Sequence, residues 1–168
     1  MIALPDLIVD YEGYRSRNHC IFKELTILSR SRNRGISFVF QMERPFERLS
    51  LSMQKNVRWC EKRYHKLPYY EGDTSQATLY ALKTIISLAG VPLLAKGQTK
   101  CSFLREFFKV PVTDLKEYVH KPPTYLELSN TFPAKPEDFC EAHRISQNPH
   151  CSQFKAKLLN DYVQTVKM

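Results

Sequence analysis

Leu7, Ile8 and Val9 form an apolar run opened by Pro5 and closed by Asp10 and Glu12 in the stretch PDLIVDYEGY. Aliphatic residues in an unbroken run read as a buried strand, and alternate residues of a strand share a face. Asp10 and Glu12 are therefore carried side by side to one face of an interior strand. Two carboxylates delivered in this way suit a divalent cation. Any sheet built around this strand has to accommodate both charges at its centre.

Residues 6 to 11 read as that first strand, and the turn Gly13 to Asn18 bears Arg15 and Arg17. Cys20 to Leu28 reads as a second strand, with Cys20, Phe22, Glu24 and Thr26 on one face. The turn SRSRNRG and a third strand from Ile36 to Met42 complete an antiparallel meander. Periodicity is poor from Glu43 to Gly72, although Leu51 to Tyr64 suits a short helix. Asp73 or Thr74 caps a helix whose apolar positions Ala77, Leu79, Tyr80, Leu82, Ile85, Ile86 and Leu88 run to Gly90. Val91 to Ala95 is a short strand, Lys100 to Phe108 a helix, and Val110 to Leu115 the last strand, with Asp114 near its end. Alternating helices and strands imply right-handed crossovers and parallel pairing. A proline-rich connector, Pro122 to Pro136, holds a helical turn at Tyr125 to Leu128. An amphipathic helix from Cys151 to Val166 presents Phe154, Leu158, Leu159, Tyr162 and Val166 to the sheet. The fold class is α/β: a mixed five-stranded sheet, three strands as a meander plus two parallel, with flanking helices in a single domain spanning residues 1–168.

The balance of 25 Lys+Arg against 17 Asp+Glu gives a net charge of +8, and the excess is clustered. Arg15, Arg17, Arg30, Arg32 and Arg34 fall in two short loops, and Lys55, Arg58, Lys62, Arg63 and Lys66 crowd a third region. Clustered positive charge points to a polyanionic partner, most often nucleic acid, the alternative being a solvated basic face. Trp59, Tyr64, Tyr69 and Tyr70 interleave with these cations, as on surfaces where bases stack; equally, Trp59 and Val57 suit a role in pinning the segment to the core. No apolar run approaches a membrane span, and the first residues lack a basic region with a cleavage site, so no membrane partner is expected and the nucleus or cytoplasm is the expected location.

Five cysteines without a secretory signal argue against a disulfide framework. Cys20, Cys60 and Cys101 show no ligand spacing and are expected to be buried. Cys140-x2-His143-x7-Cys151 is different, with ligand types and a short loop that suit tetrahedral zinc. Lys96-Gly97-Gln98-Thr99-Lys100 lacks the spacing of a phosphate-binding Walker loop.

The meander, the alternating helices and strands, and Asp10-x-Glu12 on strand one together resemble the ribonuclease H-like fold in its DEDD exonuclease version, over nearly the whole chain. In that family the first Asp and Glu bind two catalytic metals, which activate water and stabilise the leaving oxygen. The resemblance implies magnesium or manganese only for an active enzyme. Phe103-Leu104 match the second motif, but Lys100 stands where its Asp belongs. His150 matches the histidine of the third, while Lys155 stands where the last Asp is expected. Two of four carboxylates are thus lysines, and salt bridges from Lys100 and Lys155 to Asp10 and Glu12 are expected in place of metals.

The C-terminal segment, about residues 139–166, is similar to the Maelstrom domain of the piRNA pathway, which couples a degenerate DEDD-type fold to a Glu-Cys-His-Cys zinc site. That likeness implies a closed structural zinc on Glu24, Cys140, His143 and Cys151, stapling the last helix, with His150 the rival for the fourth position. It also implies a pseudo-nuclease that binds RNA, in small-RNA or transposon control, with protein partners in such a pathway. The competing expectations are an active single-strand nuclease using Asp10, Glu12 and His150, and a protein-interaction scaffold.

Overall fold

The structure, a computed structural model, describes residues 4–17 and 19–166. Its strands are β1 (Leu7–Ser16), β2 (His19–Ser29), β3 (Arg34–Val39), β4 (Leu93–Ala95) and β5 (Val112–Asp114), and its helices are α1 (Leu51–Arg63), α2 (Gln76–Ala89), α3 (Gln98–Phe108), α4 (Tyr125–Thr131) and α5 (Ser152–Thr165). They build one mixed sheet in the order β3-β2-β1-β4-β5. β1 pairs antiparallel with β2 and parallel with β4, and β5 adds parallel to β4. The expected mixed five-stranded α/β architecture is therefore present, with β1 at its centre.

β1 runs further than the sequence suggests, because Gly13 continues the strand instead of opening a turn. A Cβ on Gly13 would lie 2.1 Å from the Ile21 carbonyl oxygen, so glycine lets β1 and β2 approach closely here. The register also slips: Glu12 faces Glu24, but Gly13 faces Phe22, leaving Lys23 as the extra residue of a β-bulge. A bulge reverses the alternation, so the expected shared face of Cys20, Phe22, Glu24 and Thr26 is split. Phe22 packs with Tyr11 and Leu25 in the larger core cluster, while Glu24 and Thr26 meet the residues that open α5.

Lys23 is fully buried, and its ammonium donates to the carbonyls of Phe40 (2.9 Å), Tyr69 (3.0 Å) and Glu71. The Phe40 N–H donates to the Lys23 carbonyl. That bond continues the β2–β3 register by one rung; beyond it the chain turns to Thr74, whose carbonyl accepts from the Gln41 N–H, so β3 ends at Val39 and not at Met42.

Helix α1 turns Met53, Val57 and Cys60 inward, an i, i+4, i+7 face. Trp59 lies off that face and is 52% exposed, so of the two expected core pins only Val57 is buried. Ser75 is the N-cap residue of α2; Asp73, expected there, instead accepts from the Val39 N–H. Gly90 ends α2 in the left-handed region at φ 61°. The expected helical turn at Tyr125 extends to Thr131, started by a reciprocal cap between Thr124 and Glu127. Among the described residues no helix is long and apolar enough to cross a membrane.

Candidate functional site

Glu12 and Glu24 are direct partners across the β1–β2 ladder, so their side chains share the face on which α5 packs. Asp10 lies two residues before Glu12 on the same face. All three carboxylates are at most 3% exposed. Buried charges of one sign need compensation, and two separate groups supply it here.

The first group gathers around Asp10 and Glu12. The Lys100 ammonium, from the first turn of α3, lies 2.7 Å from Asp10 Oδ1 and 2.9 Å from Glu12 Oε1. Lys155, from α5, pairs with Glu12 through the same Oε1. The Tyr125 hydroxyl donates to Asp10 Oδ1 at 3.4 Å, and the Lys155 ammonium lies 5.5 Å from the Tyr64 and Tyr125 ring centroids. Two carboxylates and two ammoniums leave the quartet formally neutral. Burial pushes the Glu12 carboxyl up, but Lys100 and Lys155 outweigh it and hold it at about 2. Asp10 has one ammonium, and its Oδ2 has no hydrogen-bond partner; there burial prevails and the carboxyl is raised. Both lysines are raised, the pull of Asp10 and Glu12 overcoming the burial that lowers them.

His150 is brought near this quartet but stacks on Tyr64, with ring centroids 3.8 Å apart. Its hydrogen bond among the described residues runs from its backbone N–H to Asn148 Oδ1, not from its ring to Asp10 or Glu12. Burial lowers the imidazole below its usual range.

The second group surrounds Glu24. Glu24, Cys140, His143 and Cys151 are all buried and offer four ligand atoms within 4.8 Å of one another. Cys151 Sγ is 3.3 Å from Glu24 Oε1, Cys140 Sγ is 3.4 Å from His143 Nδ1, and His143 Nδ1 is 3.7 Å from Glu24 Oε1. A tetrahedral ion with bonds of roughly 2.0–2.3 Å spaces its ligand atoms roughly 3.3–3.8 Å apart. His143 Nε2 lies 2.6 Å from the His65 carbonyl, to which it donates, so Nδ1 faces the cluster; burial pushes the imidazole down, but hydrogen bonds with Cys151 and Glu24 more than reverse it and bring it to about 10. Glu24 Oε2 has no partner, an orphan that a cation would satisfy. Burial pushes the Cys151 thiol up, but hydrogen bonds with Cys140 and His143 more than offset it and bring it down to about 7. Burial pushes Glu24 up as well, and His143 more than reverses it. These residues therefore have the donors, spacing and orientation of a metal centre, with His150 outside it.

The basic residues divide. Arg15 is half-buried within β1, not in a loop, and its backbone N–H donates to Asn56 Oδ1 at 2.7 Å. Arg30 is half-buried too and ties its guanidinium to the carbonyls of Leu4 and Pro5. Arg34 opens β3. Arg17, Arg32, Arg34, Lys55, Arg58, Lys62 and Arg63 are exposed. Arg58 lies 5.3 Å from the Phe46 ring centroid. Cys60 and Cys101 are buried as expected and Cys20 is half-buried. Asp114 pairs locally, its Oδ1 accepting from the Gly97 and Lys116 N–H groups.

A cleft of about 400 Å³ opens beside the quartet, lined by Trp59, Tyr64, Arg15, Lys96 and Lys100 among others. A second, of about 350 Å³, lies beyond Tyr64 and is walled by Tyr125, His150 and Lys155. The sequence reading missed Lys96, Tyr125 and Lys23, each of which works through a contact distant in sequence. No protein-family model, curated protein or solved structure matches the chain.

Proposed function

We propose that this chain is a single-stranded nucleic-acid-binding module, with RNA favoured, built on a ribonuclease H-like fold of the DEDD type that no longer cuts. The observation that carries the reading is the ammonium of Lys100 held between Asp10 and Glu12, with Lys155 on Glu12. Ammoniums in these places repel a divalent ion and occupy the oxygens that would bind it. The same exchange removes negative charge from a place that a phosphate backbone would approach. The net charge of +8 and the exposed cations of α1 and of the β2–β3 turn supply the attraction.

In this reading the ion at Glu24, Cys140, His143 and Cys151 is zinc, closed by four protein ligands and structural. Two sulfurs, an imidazole and a carboxylate favour it over magnesium or calcium. Zinc there holds the start of α5 against β2. The likeness to the Maelstrom domain supports a role for the module in small-RNA or transposon control. Titrating a labelled single-stranded RNA at rising salt tests the binding: affinity is expected to fall steeply as fewer counterions are released. Micromolar or weaker binding that ignores salt would refute it.

One observation favours a second reading, a protein-interaction scaffold: α2 exposes Tyr80, Ile85 and Leu88 and carries a single charged residue, Lys83. Protein that binds no nucleic acid yet captures a partner stably would select it.

A further inference from the structure

Trp59 and Tyr64 line the cleft beside the quartet and belong to a column of three rings that ends at His150. Trp59 stacks on Tyr64 with centroids 5.3 Å apart and 24° between planes, and Tyr64 stacks on His150 at 3.8 Å and 29°. Trp59 ends the column half uncovered. It is nevertheless held in place, because α1 is tied to β1 through the Asn56 side chain and the Arg15 N–H. A large ring fixed on a helix and left open to solvent is a surface on which another flat group gains contact at little ordering cost.

Arg15 and Lys96 face the same cleft, and neither has a carboxylate partner among the described residues. Each lies against a ring instead: the Arg15 guanidinium is 5.4 Å from the Tyr11 centroid and the Lys96 ammonium 5.1 Å from that of Tyr125. Glu12, the acidic residue of the lining, is neutralised by Lys100 and Lys155. The cleft thus offers an open aromatic face, two unpaired cations and a neutral floor.

We infer that this cleft takes one nucleotide of a single strand, its unpaired base on Trp59 and a phosphate at Arg15 and Lys96. The inference rests on the nucleic-acid reading above and adds the place and the chemistry. A base within a duplex already has both faces stacked, so an unpaired base fits this wall. The phosphate needs no bridging metal, since the carboxylates that would repel it are already compensated.

Trp59 is the chain's single tryptophan, so its fluorescence reports on this wall alone. Oligouridylate is titrated while binding is followed in parallel by anisotropy of the labelled strand. Quenching in step with anisotropy is expected. Trp59→Ala should bind about tenfold more weakly, within the range for loss of one stacked base, and Trp59→Phe should stay within about threefold of the wild type. Arg15→Ala with Lys96→Ala should flatten the log–log salt slope by about 0.7, the share of one neutralised phosphate on a single strand. Oligothymidylate is expected to quench as well, and the tighter of the two strands identifies RNA or DNA as the natural one. Anisotropy that rises with unchanged tryptophan emission, or Trp59→Ala that binds like wild type, overturns this site and leaves the binding reading standing. No binding by either probe overturns both.

Discussion

Glu12 on β1 and Glu24 on β2 stand directly opposite each other in the antiparallel ladder, both buried, and α5 answers both. Cys151 at its N-cap meets Glu24, and Lys155 one turn later pairs with Glu12. Like charges facing each other across a ladder destabilise a sheet. Here one carboxylate belongs to a Glu-Cys-His-Cys group that could hold a metal ion and the other to an ammonium pair, and the spacing of Cys151 and Lys155 fixes the register in which α5 docks.

Removing one member of a buried ion pair leaves the other uncompensated. Lys155→Met is therefore expected to cost about 3–5 kcal/mol of stability, measured by urea unfolding. Cys151→Ser should interact with it, because both residues hold the same helix turn; a double-mutant cycle should return a coupling of about 0.5–3 kcal/mol. A cycle that closes at zero would mean that the two anchors act independently.

Elemental analysis of purified protein should return about one zinc per chain. Cys140→Ser should lose it and fall in stability by about 3 kcal/mol or more, or about 6–12 °C in thermal midpoint for a chain of this size. Folded protein that carries no metal would end the zinc assignment.

Acid should weaken the fold through Glu12. Its carboxyl is held at about 2 in the folded chain against an ordinary 4.5. The contribution is complete above the ordinary value and is lost as pH falls through that window. The raised Asp10 works with the opposite sign, so the net loss is expected to be smaller than Glu12 alone would give. Urea midpoints across the acid range measure it, and Glu12→Gln should flatten the limb.

Lys23→Met would leave the carbonyls of Phe40, Tyr69 and Glu71 without their shared donor. A loss of about 2–6 kcal/mol is expected, since Phe40 and Tyr69 are buried and each unsatisfied buried carbonyl costs about 1–3 kcal/mol. Amide exchange around residues 39–41 and 69–72 should quicken before that of β1.

Much of this arrangement is legible in the chain. The apolar run before Asp10 marks the central strand, and the expected salt bridges of Lys100 and Lys155 to Asp10 and Glu12 are present. The spacing of Cys140, His143 and Cys151 announces a ligand set. Glu24 is different, since nothing local marks it; its partners lie more than a hundred residues away, and only a likeness to a known domain singled it out.

The failures have physical causes. Gly13 looks like a turn residue, but it serves a close approach of two strands, which no single-strand pattern reveals. The bulge at Lys23 inverts the alternation after it, so faces assigned by parity fail there. Trp59 was legible in principle: Met53, Val57 and Cys60 define the inward face of α1, and Trp59 falls outside it. Tyr64 and Tyr125, which flank the quartet, come from separate segments that only the folded chain brings together.

In the function proposed above, Lys100 and Lys155 stand where catalytic metals would, so the module holds a strand without cutting it. Incubating the protein with end-labelled single-stranded RNA in magnesium or manganese tests this directly. The strand should be bound and recovered intact. Cleavage that Asp10→Ala with Glu12→Ala abolishes would contradict the account.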